Sequence, residues 1–144
     1  LGPSKVKYIT IMINDDHPKV YGLDTIDETK TVYVVEGPFD STFVDNGIAM
    51  CGADVSLDSL GLNDIVYVYD NEPRNREICS RIEKVIKQNK KVVIFPTRIS
   101  QKDINDMVLS GHDVNSVLKL NTYQSLTATI KYNEWKKLWV AKSM

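Results

Sequence analysis

The chain has 144 residues, 42% of them hydrophobic and 26% charged, which is the balance of one ordinary globular domain. Seven glycines, five prolines and two cysteines are too few for a disordered, collagen-like or disulfide-stapled chain, and no apolar run approaches the roughly 20 residues that span a bilayer. The net charge of −1 conceals a division: residues 1–72 carry 4 Lys+Arg against 13 Asp+Glu, and residues 73–144 carry 14 against 6. Such a division fits two faces of one domain, or an acidic cation site beside a basic phosphate-binding surface.

Short apolar runs rich in β-branched and aromatic residues recur at 8–13, 32–35, 48–51, 65–69 and 92–95. Continuous rather than alternating runs predict strands buried on both faces, as in a parallel sheet. A helix is expected after Pro38, with Phe39, Phe43 and Val44 inward and Gly47 ending it. Another opens at Pro73 and places Ile78, Ile82, Val85 and Ile86 on one stripe, opposite Arg74, Arg76, Arg81, Lys84, Lys87 and Lys90. Asp103 is a candidate N-cap for a helix carrying Ile104, Met107 and Val108, with Gly111 as its stop. Asp113 can cap a further helix over residues 114–120. Residues 121–144, with Tyr132, Trp135, Trp139 and several lysines, fit helix and strand equally. The strand–helix rhythm predicts an α/β fold, a mostly parallel sheet of four to five strands flanked by helices.

The acids fall where such a fold collects ligands, at the carboxyl ends of strands. Run 32–35 leads into Glu36, Gly37, Pro38, Phe39 and Asp40; run 65–69 into Asp70, Asn71 and Glu72; run 92–95 towards Lys102, Asp103 and Asp106. Grouped carboxylates repel one another, and a bound Mg²⁺ relieves the repulsion through one or two carboxylates, waters and substrate phosphates. The structural alternative is that each acid simply caps the helix that follows it.

These three junctions resemble the motifs of the Toprim catalytic domain of DnaG-type DNA primases. Glu36-Gly-Pro-Phe-Asp40 is similar to its Glu-Gly-x-x-Asp motif, Asp70-Asn71-Glu72 to its Asp-x-Asp motif, with Glu in place of the second Asp, and Lys102-Asp103 to its third element. Lys7-Tyr8-Ile9 and Tyr21-Gly22-Leu23 look like the end of the primase core that precedes Toprim, and the whole looks most like the primases of T-even type bacteriophages. The resemblance covers residues 7–120 and implies three regions: 1–30 closing the preceding core subdomain, 31–120 forming the Toprim domain, and 121–144 as a C-terminal extension. It implies metal-dependent synthesis of short RNA primers on single-stranded DNA from ribonucleoside triphosphates, beside a replicative helicase, in the host cytoplasm and away from membranes. Mg²⁺ is the implied cofactor, with Mn²⁺ able to substitute.

Carried over residue by residue, Glu36, Asp40, Asp70, Glu72 and Asp103 are the implied catalytic acids. Glu36, Asp70, Glu72 and Asp103 are the metal ligands among them, Glu36 serving as ligand or general base. Lys7, Arg74, Arg76 and Lys102 are the expected contacts to template or triphosphate. Tyr132, Trp135 and Trp139 can stack on bases or pack on the domain. Primases of this kind are expected to carry a zinc-binding domain and a basic template-gripping region upstream, so the chain alone is expected to make no primers. A non-catalytic Toprim-like binding module of the replisome is the alternative. A phosphoacceptor receiver domain, mimicked by Asp15-Asp16, Asp70, Thr97 and Lys102, fails because residues 18–30 form no amphipathic helix and Asp70 follows the fourth apolar run.

Overall fold

The computed structural model describes residues 22, 25–50, 62 and 64–143, with side chains as far as residue 137. Lys7, Asp15, Asp16, Cys51, the expected strand at 8–13 and the side chain of Trp139 lie outside the described residues. The chain divides into two compact units, Leu1–Ile65 and Val66–Met144.

In the first unit, β1 (Val32–Val35) and β2 (Gly47–Ala49) run parallel, joined by the short helix α1 (Pro38–Ser41). Val34 and Val35 are neighbours and both are buried, which is how a strand covered on two faces should look. The helix expected to reach Gly47 stops after four residues. The hydroxyls of Ser41 and Thr42 donate back to the carbonyls of Pro38 and Phe39, each at 2.7 Å, competing with helix propagation. Phe39, expected inward, is 65% exposed, whereas Val44 is buried. Gly47 opens β2 instead of ending a helix, and a side chain there would press within 3.0–3.1 Å of Val44.

The second unit contains β3 (Ile65–Tyr67, from its second residue), α2 (Arg76–Lys87), β4 (Lys91–Val93), α3 (Ile104–Leu109), α4 (Val114–Leu120), β5 (Thr122–Tyr123) and α5 (Ser125–Ser143). β3 and β4 are parallel; β4 and β5 are antiparallel. The described strands are therefore five and mostly parallel, flanked by helices, as the sequence predicts.

Helix α2 starts three residues beyond Pro73, because Asn75 is the cap: its Oδ1 accepts from the backbone N–H groups of Glu77 at 3.0 Å and Ile78 at 3.2 Å. Ile78, Cys79, Ile82 and Val85 form its buried stripe. Asp103 caps α3 by accepting from Asp106 N–H at 2.8 Å, and Gly111, at φ +90°, ends that helical region where a side chain would be strained. Asp113 caps α4, whose bounds are those expected.

Residues 121–144 supply both a strand and a helix. The turn after α2 fixes where α5 begins: Gln124 Nε2 donates to the Asn89 carbonyl at 2.7 Å, and the Ser125 hydroxyl donates to Asn89 Oδ1. Ala128, Tyr132 and Trp135 then bury one face of α5. Tyr132 packs on α2, its hydroxyl donating to Glu83. Burial, and then the bond to Glu83, pushes the Tyr132 phenol well above its ordinary range.

A phenol raised in this way contributes stability fully below its unfolded pKa of about 10, and loses it as pH climbs from there towards the folded value. Tyr132→Phe is therefore expected to be less stable than the parent at about pH 8, with the difference shrinking by about pH 11. Urea unfolding of both proteins at the two pH values checks this; a constant difference would show that ionisation of Tyr132 is not linked to folding.

Candidate functional site

Glu36 follows β1 directly, and Gly37 holds an extended backbone before α1, with Asp40 in the first helical turn. The Glu36 side chain is half-buried and its Oε2 is shielded from solvent. Asp40 is half-buried and Phe39, between them in sequence, is exposed. The first motif is thus a strand end running into a helix start, as read from the sequence.

In the second unit the chain leaves β3 through buried Val68 and half-buried Tyr69 to Asp70. Two tight backbone bonds shape the turn beyond it: Glu72 N–H donates to the Asp70 carbonyl at 2.9 Å, and Asn75 N–H to the Glu72 carbonyl at 3.0 Å. Asn75 Nδ2 also reaches Glu72 Oε1 at 3.4 Å. Glu72 thus lies in the turn ahead of Asn75, the cap of α2. Arg74 and Arg76 come next, and both are exposed.

Asn71, the residue between the two acids, makes four hydrogen bonds. Its N–H donates to the Lys102 carbonyl at 2.6 Å, and its Nδ2 donates to the carbonyls of Ile99 at 2.9 Å and Gln101 at 3.0 Å. Its Oδ1 accepts from Trp135 Nε1 at 2.8 Å. One side chain thereby ties the second acidic motif to the loop that ends in Lys102 and Asp103, and ties both to α5. The two motifs of this unit, Asp70–Glu72 and Lys102–Asp103, are side by side because of it.

Lys102 is exposed; Asp103 is half-buried and partly engaged in capping α3. Among the described residues, no three His, Cys, Asp or Glu side chains converge on a common metal position. Tyr132 and Trp135, offered by the sequence as stacking residues or packing residues, are 5% and 7% exposed and pack. What sequence reasoning misses is Asn71 and the bond that Trp135 donates to it. Their signal is positional only, an amide between two acids and an indole in the tail.

The described residues form an α/β domain that shares its fold with a domain of a DnaG primase. It superimposes with a TM-score of 0.55 on the RNA polymerase domain of the Mycobacterium tuberculosis primase DnaG, over 75% of this chain and 42% of that one, at 17% identity. In sequence it is 33% identical over 138 residues to the DNA primase of Enterobacteria phage T4, across 92% of this chain and 40% of the phage protein. The chain thus spans about two fifths of the length of each relative. No family model matches it. The resemblance to DnaG-type primases, and the α/β architecture it implied, are borne out. No helix among the described residues is long and apolar enough to cross a membrane.

If Asn71 is the tie between the loops, Asn71→Ala leaves the Ile99 and Gln101 carbonyls and the Trp135 indole without a partner, a loss of about 1–3 kcal/mol. Trp135→Phe removes the indole N–H, leaves Asn71 Oδ1 without that donor and opens space in the core, at about 1–3 kcal/mol. Urea unfolding measures both, and amide hydrogen exchange should show residues 99–103 losing protection in Asn71→Ala. Unchanged exchange there would mean that the loop is held by something else.

Proposed function

We propose that this chain is the part of a DNA primase that carries its catalytic acids, acting in metal-dependent synthesis of RNA primers on single-stranded DNA. The observation that carries the reading is the tie made by Asn71, which sets Asp70 and Glu72 beside Lys102 and Asp103. The named relatives supply its direction, both being primases. The motifs Glu36–Asp40, Asp70–Glu72 and Lys102–Asp103 support a Toprim assignment within it.

In that reaction a primer 3′ hydroxyl attacks the α-phosphate of a ribonucleoside triphosphate. The new P–O bond forms as the bond to pyrophosphate breaks, and the hydroxyl proton passes to a base. The donor set here is all carboxylate oxygen, which suits a hard cation such as Mg²⁺ or Mn²⁺. One or two protein ligands suffice for such an ion when waters and phosphates complete its shell, so the absence of a three-acid group among the described residues is compatible with it. Asp70 and Glu72 are the residues that would hold the ion, with Asp103 orienting a bound water. When bound, the ion neutralises charge on the transferring phosphates.

Glu36 serves as ligand or general base, a role suited to a carboxylate with one oxygen shielded from water. Asp40 orients its surroundings from the first turn of α1. Lys102, exposed on the loop held by Asn71, can meet the triphosphate, and Arg74 and Arg76 can meet template or nucleotide phosphates. Lys7 joins them on the resemblance alone. Single-stranded DNA, ribonucleoside triphosphates and a replicative helicase are the partners this reading implies.

Two measurements test it. In an enzyme that joins this chain to the part of a DnaG-type primase outside the match, Glu36→Gln or Asp70→Asn should slow primer synthesis a hundredfold or more, about 3 kcal/mol. Near-normal rates would place the chemistry elsewhere. In the 144-residue chain alone, Mn²⁺ at about a hundred times its dissociation constant should stabilise the fold by about 2.7 kcal/mol. Asp70→Asn should lose most of that gain, and equal melting shifts in the two proteins would remove Asp70 from the metal site.

A further inference from the structure

The segment that carries Lys102 and Asp103 is gripped a second time, from beyond the far end of α3. Gly111, at φ +90°, donates its N–H to the Val108 carbonyl at 3.0 Å, and His112 N–H donates to the Met107 carbonyl at 3.0 Å. Met107 is fully buried, so these bonds fix the backbone of His112 to the core. From there the imidazole Nε2 lies 3.0 Å from Gln101 Oε1, both side chains being half-buried. An amide oxygen can only accept, so Nε2 carries the proton of this bond. The bond ties the stretch ahead of the six-residue helix α3 to the turn that follows it. Sequence spacing gives no sign of it, since His112 stands 11 residues from Gln101 and only the turn at Gly111 brings the two together.

Two polar side chains that meet near a surface ordinarily add a little stability and nothing else. Here the residue that His112 holds is already held at its main chain, because the Gln101 carbonyl accepts from Asn71 Nδ2 at 3.0 Å. Lys102 comes next, its carbonyl accepting from Asn71 N–H and its side chain exposed. Asp103 follows and accepts from Asp106 N–H. Lys102 therefore stands between two anchored residues, on a segment gripped by the Asp70–Glu72 turn and by the turn after α3. A segment held at one point can pivot about it; held by two separate elements, it cannot pivot without breaking a bond.

We propose that His112 is a positioning residue for the phosphate contact at Lys102, acting through the Gln101 side chain. The proposal rests on the primase reading for the identity of those phosphates, which belong to a ribonucleoside triphosphate. In this role His112 touches neither substrate nor metal; it sets where the Lys102 ammonium stands. A lysine on a loosened segment has to be ordered as the nucleotide binds, and that ordering lowers affinity without altering the chemistry that follows. The signature is a raised KM at little-changed kcat.

The test separates the bond from the ring. A glutamine at this position places an amide N–H about where Nε2–H stands, and an asparagine places one nearer to Nδ1. In an enzyme that joins this chain to the rest of a DnaG-type primase, His112→Ala and His112→Asn should raise KM for ribonucleoside triphosphates roughly fivefold, with kcat within about twofold. His112→Gln should stay within about twofold of the parent in both constants. Gln101→Leu removes the acceptor and should reproduce His112→Ala, and the double variant Gln101→Leu/His112→Ala should be no worse than either. In the 144-residue chain, amide hydrogen exchange at Lys102 and Asp103 should be faster in His112→Ala and recover in His112→Gln. Unchanged exchange in His112→Ala overturns the proposal. So does faster exchange with an unchanged KM, which makes the bond structural only, and so does a KM raised equally by His112→Gln and His112→Ala. Failure of the primase reading shows elsewhere, as a normal rate of primer synthesis in Asp70→Asn, a variant that leaves Gln101 and His112 untouched.

Discussion

The arrangement of the second unit depends on one amide side chain. Asn71 is the middle residue of a three-residue turn, a position where many residues would serve the backbone equally well. Only an amide offers both two donors and an acceptor on one planar group. It spends the donors on two consecutive stretches of the 99–102 loop and the acceptor on an indole from a helix 64 residues away. Asp would lose both donors and set a carboxylate against two carbonyls; a hydroxyl would be too short to span them. Loops ordinarily move independently, and acids on independent loops do not hold a common geometry. The two acidic motifs of this unit escape that because they share a hydrogen-bonding partner.

Asp103 also performs structural work, which does not compete with the role proposed for it. Asp103 caps α3 through one accepted bond, and Glu72 precedes the first turn of α2. A carboxylate has about four lone-pair positions, so a single capping bond leaves capacity for a cation or its waters. Capping also fixes the side-chain rotamer, and a ligand that need not be ordered on binding costs less entropy to use. Capping by Asp103 is therefore compatible with the ligand role proposed for it. A helix start beyond a parallel strand is where both are satisfied.

Much of this is legible in the sequence, and the failures are instructive. Helices α3 and α4 begin and end as expected because each has a short-range cap, Asp103 or Asp113, whose chemistry is local. Pro73 places helix α2 three residues early, being a good first-turn residue. Asn75 is the stronger signal, its side chain satisfying two otherwise unpaired N–H groups. The helix after Pro38 is overextended when apolar spacing is read without weighing Ser41 and Thr42, whose hydroxyls compete for the carbonyls of Pro38 and Phe39. In the tail, strand and helix look like exclusive alternatives, and the chain uses both, β5 being two residues long. Asn71 and Trp135 are beyond local reading altogether. Their role exists only in the pairing, and nothing in either neighbourhood announces a partner 64 residues off.

The charge division acquires a more local meaning once the units are separated. Residues 1–65 carry 4 Lys+Arg against 11 Asp+Glu, and residues 66–144 carry 14 against 8. The excess of cations in the second unit is distributed unevenly along it. Arg74, Arg76, Arg81, Lys84 and Lys87 lie on or just before α2, and Lys131, Lys136 and Lys137 on the described part of α5. Some of these cations are internally matched: Arg81 pairs with Glu77 at 2.8 Å, and Lys131 with Glu134 at 3.9 Å. Exposed pairs of that kind contribute little to stability, so they mainly remove those cations from competition for an external anion. Lys136 is matched in the same way, its Nζ 4.0 Å from Glu83. The remaining positive charge of the second unit is thus spread over α2 and α5, the two helices that Tyr132 joins through its bond to Glu83.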